Sequence, residues 1–461
     1  ISGGNVIHTF TSSGYLTPLK LVNNSLRFRS SASAYLNNTF KTPTSATTWT
    51  ISTWVKRGTL GTEQVLFGVF NSGTDYFYFG FDGSTDRLQI FDRPSGGGTN
   101  WLTTTQVFRD PAAWYHIVYV FDTTQATSTN RQKLYINGIQ VTAFATQTPG
   151  AQNSVARWNA SGNVGFIGRS GNSGGQAYID MYESEINFID GQALTPNSFG
   201  TFNSYGVWQP ITYGGSYGTN GFYLPFTNKT STTTLGYDFS PNGNNWTPNN
   251  LSLTAGNTYD SMTDVPTLTS ANTANYCVLN PLSALNSSTI ADGNLKGTLS
   301  AATALTDIYG TMASGTTGKF YWETTYVSRS GNSALTTGGV RSDVFGAEPS
   351  GTGGFGYYSV GGQVFVNGST VATYATYTTS DVIGIALDLT NSQVSFYKQT
   401  SGTGSFVLQG TVSIASGYSW IPGYSNGTTS GNQVFTVNFG QQPFNNSSPP
   451  SGYVALNTYN I

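Results

Sequence analysis

The sequence predicts an all-β protein: two antiparallel β-sandwich (jelly-roll) domains joined by a turn-rich connector. Three observations carry that prediction. Charged residues make up 9% of the chain, against about 25% in an average soluble domain, so the Glu, Lys and Arg that furnish helix solvent faces are scarce. In their place stand 28 Tyr, 28 Phe, 9 Trp and 56 Gly, the strand formers and turn residue of sheet proteins. The length of 461 residues exceeds one ordinary core and gives two or three domains.

The elements follow in order. Residues 1–20 read as an N-terminal arm, and residues 21–205 as the first sandwich. Thr50-Ile51-Ser52-Thr53-Trp54-Val55 alternates, which sets Ile51, Thr53 and Val55 on one face and Trp54 on the other. Tyr76–Phe81, Trp114–Val120, Val164–Gly168, Ala177–Tyr182 and Glu185–Ile189 are further strands. Leu134–Val141 carries Asn137-Gly138 between apolar runs, a two-residue hairpin signal because Asn-Gly accepts φ > 0 at both turn positions. Thr195-Pro196 opens the one short helix expected, with Thr as N-cap and Pro at the first helical position. Residues 206–270 form the connector, an ordered bridge without its own core, in which Pro225 limits Gly221–Phe226 to an edge or an end. Residues 271–461 form the second sandwich, with strands at Lys319–Glu323, Gly354–Tyr358, Gln363–Val366, Asp381–Leu389, Val394–Lys398 and Val434–Phe439.

Charge and cysteine content narrow the function classes. A net charge of −2 with 19 basic residues and no basic run argues against a nucleic-acid partner. No run of about 18 apolar residues is present, so no membrane insertion is expected. The chain starts at Ile1 without a leader pattern, which reads as a processed or trimmed piece of something longer. The single cysteine, Cys277, excludes an internal disulfide framework and a cysteine-built zinc site.

Several of these stretches carry a resemblance. Trp49–Lys56, Trp114–Val118, Leu134–Gly138 and Glu185-Ile186-Asn187-Phe188-Ile189-Asp190-Gly191-Gln192-Ala193-Leu194-Thr195-Pro196 resemble, in that order, laminin-G-like, concanavalin-A-type jelly rolls, and the last run is most similar to the version in bacteriophage structural proteins. Gly318-Lys319-Phe320-Tyr321-Trp322-Glu323, Asp381-Val382-Ile383-Gly384 and Asn438-Phe439-Gly440-Gln441 resemble a SPRY domain, a β-sandwich used for protein recognition. Gly3–Phe10 resembles the end of an upstream Gly-rich module in such phage proteins. The resemblance implies a virion protein, a tail-fibre, appendage or capsid-attached component. Its partners would be other virion proteins and a host cell-surface glycan, and its oligomer, if it is part of a fibre, a trimer.

Candidate chemistry is sparse. Two histidines, His8 and His116, are present; His116 lies mid-strand and reads as a packed, hydrogen-bonded core residue. The jelly-roll superfamily includes glucanases with Glu-x-Asp-x-x-Glu on one strand. Here Asp180 and Glu183 fit that spacing, but Tyr178 stands at the nucleophile's position, and retaining hydrolysis needs two carboxyls about 5 Å apart. Glu183 and Glu185, two residues apart, would share a strand face at roughly 6.5 Å, a spacing open to an inverting mechanism. No cofactor is expected. Calcium, which takes hard oxygen ligands, is compatible with Asp75, Asp82, Asp86 and Asp92, without an assigned ligand set. Gly96-Gly97-Gly98 lacks a following Lys-Ser/Thr and reads as a turn. Trp101 and Trp158, in polar turn-rich settings, with Tyr178 and Tyr424, are the ligand-binding candidates, because an exposed aromatic ring stacks on a sugar face or anchors a protein contact. The expected function is non-catalytic adhesion in an extracellular particle, a virion. A glycoside hydrolase using Asp180, Glu183 and Glu185, and a purely architectural particle component, are the alternatives.

Overall fold

The computed structural model describes residues 19–94, 99–170, 177–285, 287–300, 306–331, 333–427, 431–446 and 449–461. His8, most of the N-terminal arm and the Gly96–Gly98 turn lie outside the described residues. The described residues form strands and short 3₁₀ turns, with no α-helix among them.

The first sandwich pairs two eight-stranded antiparallel sheets. The back sheet is centred on Trp114–Asp122, Thr48–Arg57, Met181–Asp190 and Ser25–Phe28; the front sheet runs through Asn100–Val107, Arg87–Arg93, Asp75–Phe81, Gln64–Ser72, Val164–Ile167 and Tyr35–Thr39. Alternation fixes which side chains meet between the sheets. Ile51 and Val55 enter that core with Trp49, Phe67, Phe79 and Ile186. Trp54, from the same strand, points out of the back sheet. The Asn137-Gly138 turn is a two-residue hairpin, with φ of 48° and 82° and Ile136 facing Ile139.

The segment 206–270 contributes directly to this sandwich. Phe222–Leu224 and Ser261–Met262 join the back sheet, and Thr247–Asn249 adds an edge to the front sheet. Phe222–Leu224 stops before Pro225, whose missing N–H cannot continue a ladder. Pro196–Ser198 is a single 3₁₀ turn rather than an α-helix, and Thr195 makes no side-chain capping bond.

The second sandwich stacks an eight-stranded sheet on a six-stranded one. Lys319–Arg329 lies centrally between Val382–Asp388 and Gln433–Asn438, and Leu335–Arg341 pairs with Trp420–Asn426 and Gly354–Tyr358. Trp322, Phe355, Ile385, Trp420 and Phe435 fill its core.

Trp54, Trp114 and Tyr182, on the outer face of the back sheet, belong to the same buried cluster as the second core. Lys56 reaches across from that face. Its Nζ donates to Asp264 Oδ2 at 2.7 Å, Asn275 Oδ1 at 2.7 Å and the Tyr276 carbonyl at 2.8 Å. Trp114 Nε1 donates to the other Asp264 oxygen at 3.0 Å. Tyr182 donates its hydroxyl to the Gly293 carbonyl, and the Asp180 carboxylate accepts from the Gly293 N–H. The back sheet therefore seats the second sandwich, which leaves the front sheet as the open face.

Candidate functional site: an aromatic row across the front sheet

Strand register builds the site. Directly opposed residues of an antiparallel pair share a sheet face. Phe166 faces Gly68, Gly68 faces Tyr78, Tyr78 faces Phe91, and Phe91 faces Trp101. Five consecutive strands thus contribute one line of residues to the outer face, at about 4.8 Å per strand. Core partners alternate with them, since Phe77, Phe79, Leu88, Ile90 and Leu102 all point inward.

The rings are held in defined orientations. Phe91 meets Trp101 edge to face at 5.1 Å, and Tyr76 stacks on Phe91 at 5.4 Å. Trp101 is half-buried, its Nε1 tied to Thr103 Oγ1 at 2.9 Å. Together with Phe70, Gln89, Glu63 and Ser170 these residues wall a cavity of about 460 Å³. Burial, reinforced by Asp82, raises the Glu63 carboxyl above its ordinary range. Tyr78 donates its hydroxyl to the Phe81 carbonyl, and burial raises its phenol far above the usual value. A shallow wall of rings with a few polar groups at its rim suits a flat ligand with apolar faces and polar edges.

The four binding candidates separate here. Trp101 lies in the cavity wall. Tyr178 stands beyond the far end of the row, 6.1 Å from Tyr35, and beneath the Arg169 guanidinium. Trp158 must be corrected: it is fully buried, packed on Phe40, Phe67 and Trp246, and closes the end of the core. Tyr424 is corrected likewise. It is fully buried and stacks on Phe435 at 4.4 Å, joining the two sheets of the second sandwich. Their Gly- and Asn-rich neighbours suggest exposure, but Asn159 is itself buried and bonded to Asp190 and Asn220, and Gly423, Ser425 and Asn426 are buried members of the strand Trp420–Asn426. Phe91, Tyr76 and Tyr78 carry alternating strand patterns, and only the pairing of distant strands lines them up with Trp101.

The expected carboxylate pair does not form. Glu183 lies inside the first sandwich, where its Oε2 accepts from Thr53 Oγ1 at 3.4 Å, its Oε1 has no partner, and burial raises its acid far above the ordinary range. Glu185 has φ 52° at a bulge that shifts the register between Ser184 and Asn187. The extra residue breaks the two-residue alternation, so Glu185 leaves the core and pairs with Lys20 and Tyr223. Asp180 accepts from Thr59 at 2.6 Å and from Gly293 N at 2.8 Å, and burial pushes its carboxyl up to about 6.

Other polar candidates are engaged in the framework. His116 is buried, accepts from Trp208 Nε1 at Nδ1 (2.9 Å), bonds Ser52 Oγ through Nε2 (2.8 Å) and stacks on Trp54; burial lowers its pKa to about 3. Asp75 pairs with Arg157, Asp86 with Arg57 and Arg109, and Asp82 caps the Ser84 turn. Asp92 accepts from Asn100 and the Arg157 N–H, and burial pushes it up to about 7. Among the described residues, no three His, Cys, Asp or Glu side chains gather where they could hold a metal ion.

Residues 28–183 match the family described as the concanavalin A-like lectin/glucanases superfamily. The ends of that match are neighbours in the back sheet, where Phe28 faces Met181 and Leu26 faces Glu183. No curated protein matches the sequence. Among solved structures, the SPRY domain of human HERC1 is similar at 19% identity and a TM-score of 0.29, over 34% of this chain and 96% of that one. A heptameric SAP-like pentraxin from Limulus polyphemus is similar at 15% identity and 0.29, over 39% and 80%. A candidate carbohydrate-binding protein from Bacteroides ovatus is similar at 18% identity and 0.34, over 50% of this chain and 58% of that one.

Proposed function

We propose that the chain is a non-catalytic glycan-binding protein whose ligand lies against the aromatic row of the front sheet. The observation that carries the reading is the register line Tyr78–Phe91–Trp101 opening onto the 460 Å³ cavity. Sugar rings present C–H faces that stack on aromatic planes, while Gln89, Glu63 and Ser170 offer polar groups to their hydroxyls. The absence of catalysis is supported by the carboxylates. Among the described residues Glu63 is the one acid in the cavity wall, where hydrolysis uses two. The resemblance of Glu185–Pro196 to bacteriophage structural proteins supports the further reading that the chain belongs to a virion and displays this face to a host glycan, with other particle proteins as neighbours. A glycan array tests it: wild-type binding that Trp101→Ala abolishes supports the reading. Silence on the array, or release of reducing ends from a bound polysaccharide, overturns it.

A further inference from the structure

The front sheet continues past Gly68 into a second ring cluster. Phe166, on the same line as Tyr78 and Trp101, meets Tyr35 at 6.1 Å, and Tyr35 meets Tyr178 at 6.1 Å. Over these rings lies the Arg169 guanidinium, 4.3 Å from the Phe166 centroid, 4.6 Å from that of Tyr35 and 5.8 Å from that of Tyr178. Its Nε donates to the Ser170 carbonyl at 3.1 Å, and Ser170 belongs to the cavity wall. Among the described residues no carboxylate forms an ion pair with Arg169. A guanidinium held over rings can still offer its terminal N–H groups to a planar or tetrahedral anion.

A second observation concerns the whole surface. Most of the 21 acidic side chains are buried, Asp92, Asp180, Glu183, Asp264 and Glu323 among them, whereas of the 19 basic ones only Arg27, Arg29, Lys56 and Arg57 are. Lys20, Arg109, Lys319 and Lys398 pair with four of these buried acids, whereas Arg169 belongs to no such ion pair among the described residues.

We infer that Arg169 is an anion subsite at the end of the aromatic row, so that the glycan read by this face is an acidic one carrying carboxylate or sulfate groups. The inference rests on the groove reading and adds the ligand's chemical class to it. A ligand lying along the row stacks its rings on the half-buried Trp101 and Phe91, with Tyr78 buried beneath it, and presents an acidic substituent to the guanidinium fork.

The test uses the full chain and two matched polymer pairs. Carboxymethyl cellulose against hydroxyethyl cellulose probes carboxylate, and dextran sulfate against dextran probes sulfate. Affinity is read by calorimetry or affinity electrophoresis. Wild type is expected to favour at least one acidic member over its neutral partner, and added salt to erode that preference. Arg169→Gln should weaken the acidic polymer about tenfold, the scale of one charge-assisted hydrogen bond, and leave the neutral one unchanged. Arg169→Lys, which keeps the charge but not the fork, should fall between, and unchanged thermal midpoints for both variants exclude a folding defect. Trp101→Ala should abolish binding of both members of a pair. Equal acidic binding by wild type and Arg169→Gln overturns the subsite while the groove stands. No binding of any polymer by wild type overturns both. Arg169-dependent capture of a single-stranded oligonucleotide in preference to the acidic polymers overturns the assignment to a glycan.

Discussion

Lys56 Nζ lies 2.7 Å from Asp264 Oδ2, and neither side chain is exposed to solvent. The pair joins the back sheet of the first sandwich to the segment that enters the second, with Asn275, Tyr276 and Trp114 completing its hydrogen bonds. Burying two charges is costly, and such a pair holds only when its remaining donors and acceptors are satisfied. Removing one partner strands the other. Lys56→Ala is expected to destabilise the protein by about 3–5 kcal/mol, measured by denaturant unfolding. Lys56→Ala together with Asp264→Ala should cost less than Lys56→Ala alone; a double variant at least as unstable as the single one would contradict the pairing argument.

Trp101 and Trp158 should behave in opposite ways. Trp158→Ala empties a fully buried site ringed by Phe40, Phe67 and Trp246 and should lower stability by about 3–5 kcal/mol. Trp101→Ala removes a half-buried ring from the cavity wall and should change stability by less than about 1 kcal/mol, while glycan binding is lost. Thermal unfolding and an array binding assay on the two variants check the contrast.

Glu183 predicts a pH dependence. Its acid is raised in the folded chain by burial, so the folded state holds the proton more tightly than the unfolded one. Stability from this group is therefore complete below the unfolded value of about 4.3 and falls as pH rises above it. Glu183→Gln should match wild type near pH 4 and exceed it in stability at pH 7. Glycan binding should be unchanged, because the side chain lies within the core. Denaturant midpoints across that range provide the measurement.

His116 predicts the reverse slope. Its folded value of about 3 lies below the unfolded value of about 6.5, so the unfolded chain binds the proton more readily. The stability held by neutral His116 is present above about pH 6.5 and is lost as pH falls toward 3. His116→Gln should remove this component, which is read as the wild-type minus variant difference across the window. A difference that does not change with pH would mean the imidazole is not held neutral.

Local patterns account for what was legible in the sequence. Asn137-Gly138 foretells its own hairpin because both turn residues take positive φ, and the opposite facing of Ile51 and Trp54 follows from strict alternation. What depended on non-local pairing was not legible. A single left-handed residue at Glu185 sends Glu183 and Glu185 to different environments, and no residue type announces that bulge. Trp246, from a stretch that reads as connector, packs on Trp158 at 6.1 Å and helps turn a ring that suggests a binding residue into a core residue. The aromatic row joins strands far apart in sequence, so Phe166, Tyr78 and Trp101 are unrelated until the register is known.

The clamp at Lys56 also settles where the open sheet can look. With its opposite side occupied by the second sandwich, the proposed ligand face is aimed rather than free to swivel, and its bearing is set by whatever grips the far half of the molecule. Copies anchored side by side through that half would present parallel furrows to one surface, and modest individual affinities would then multiply into avidity.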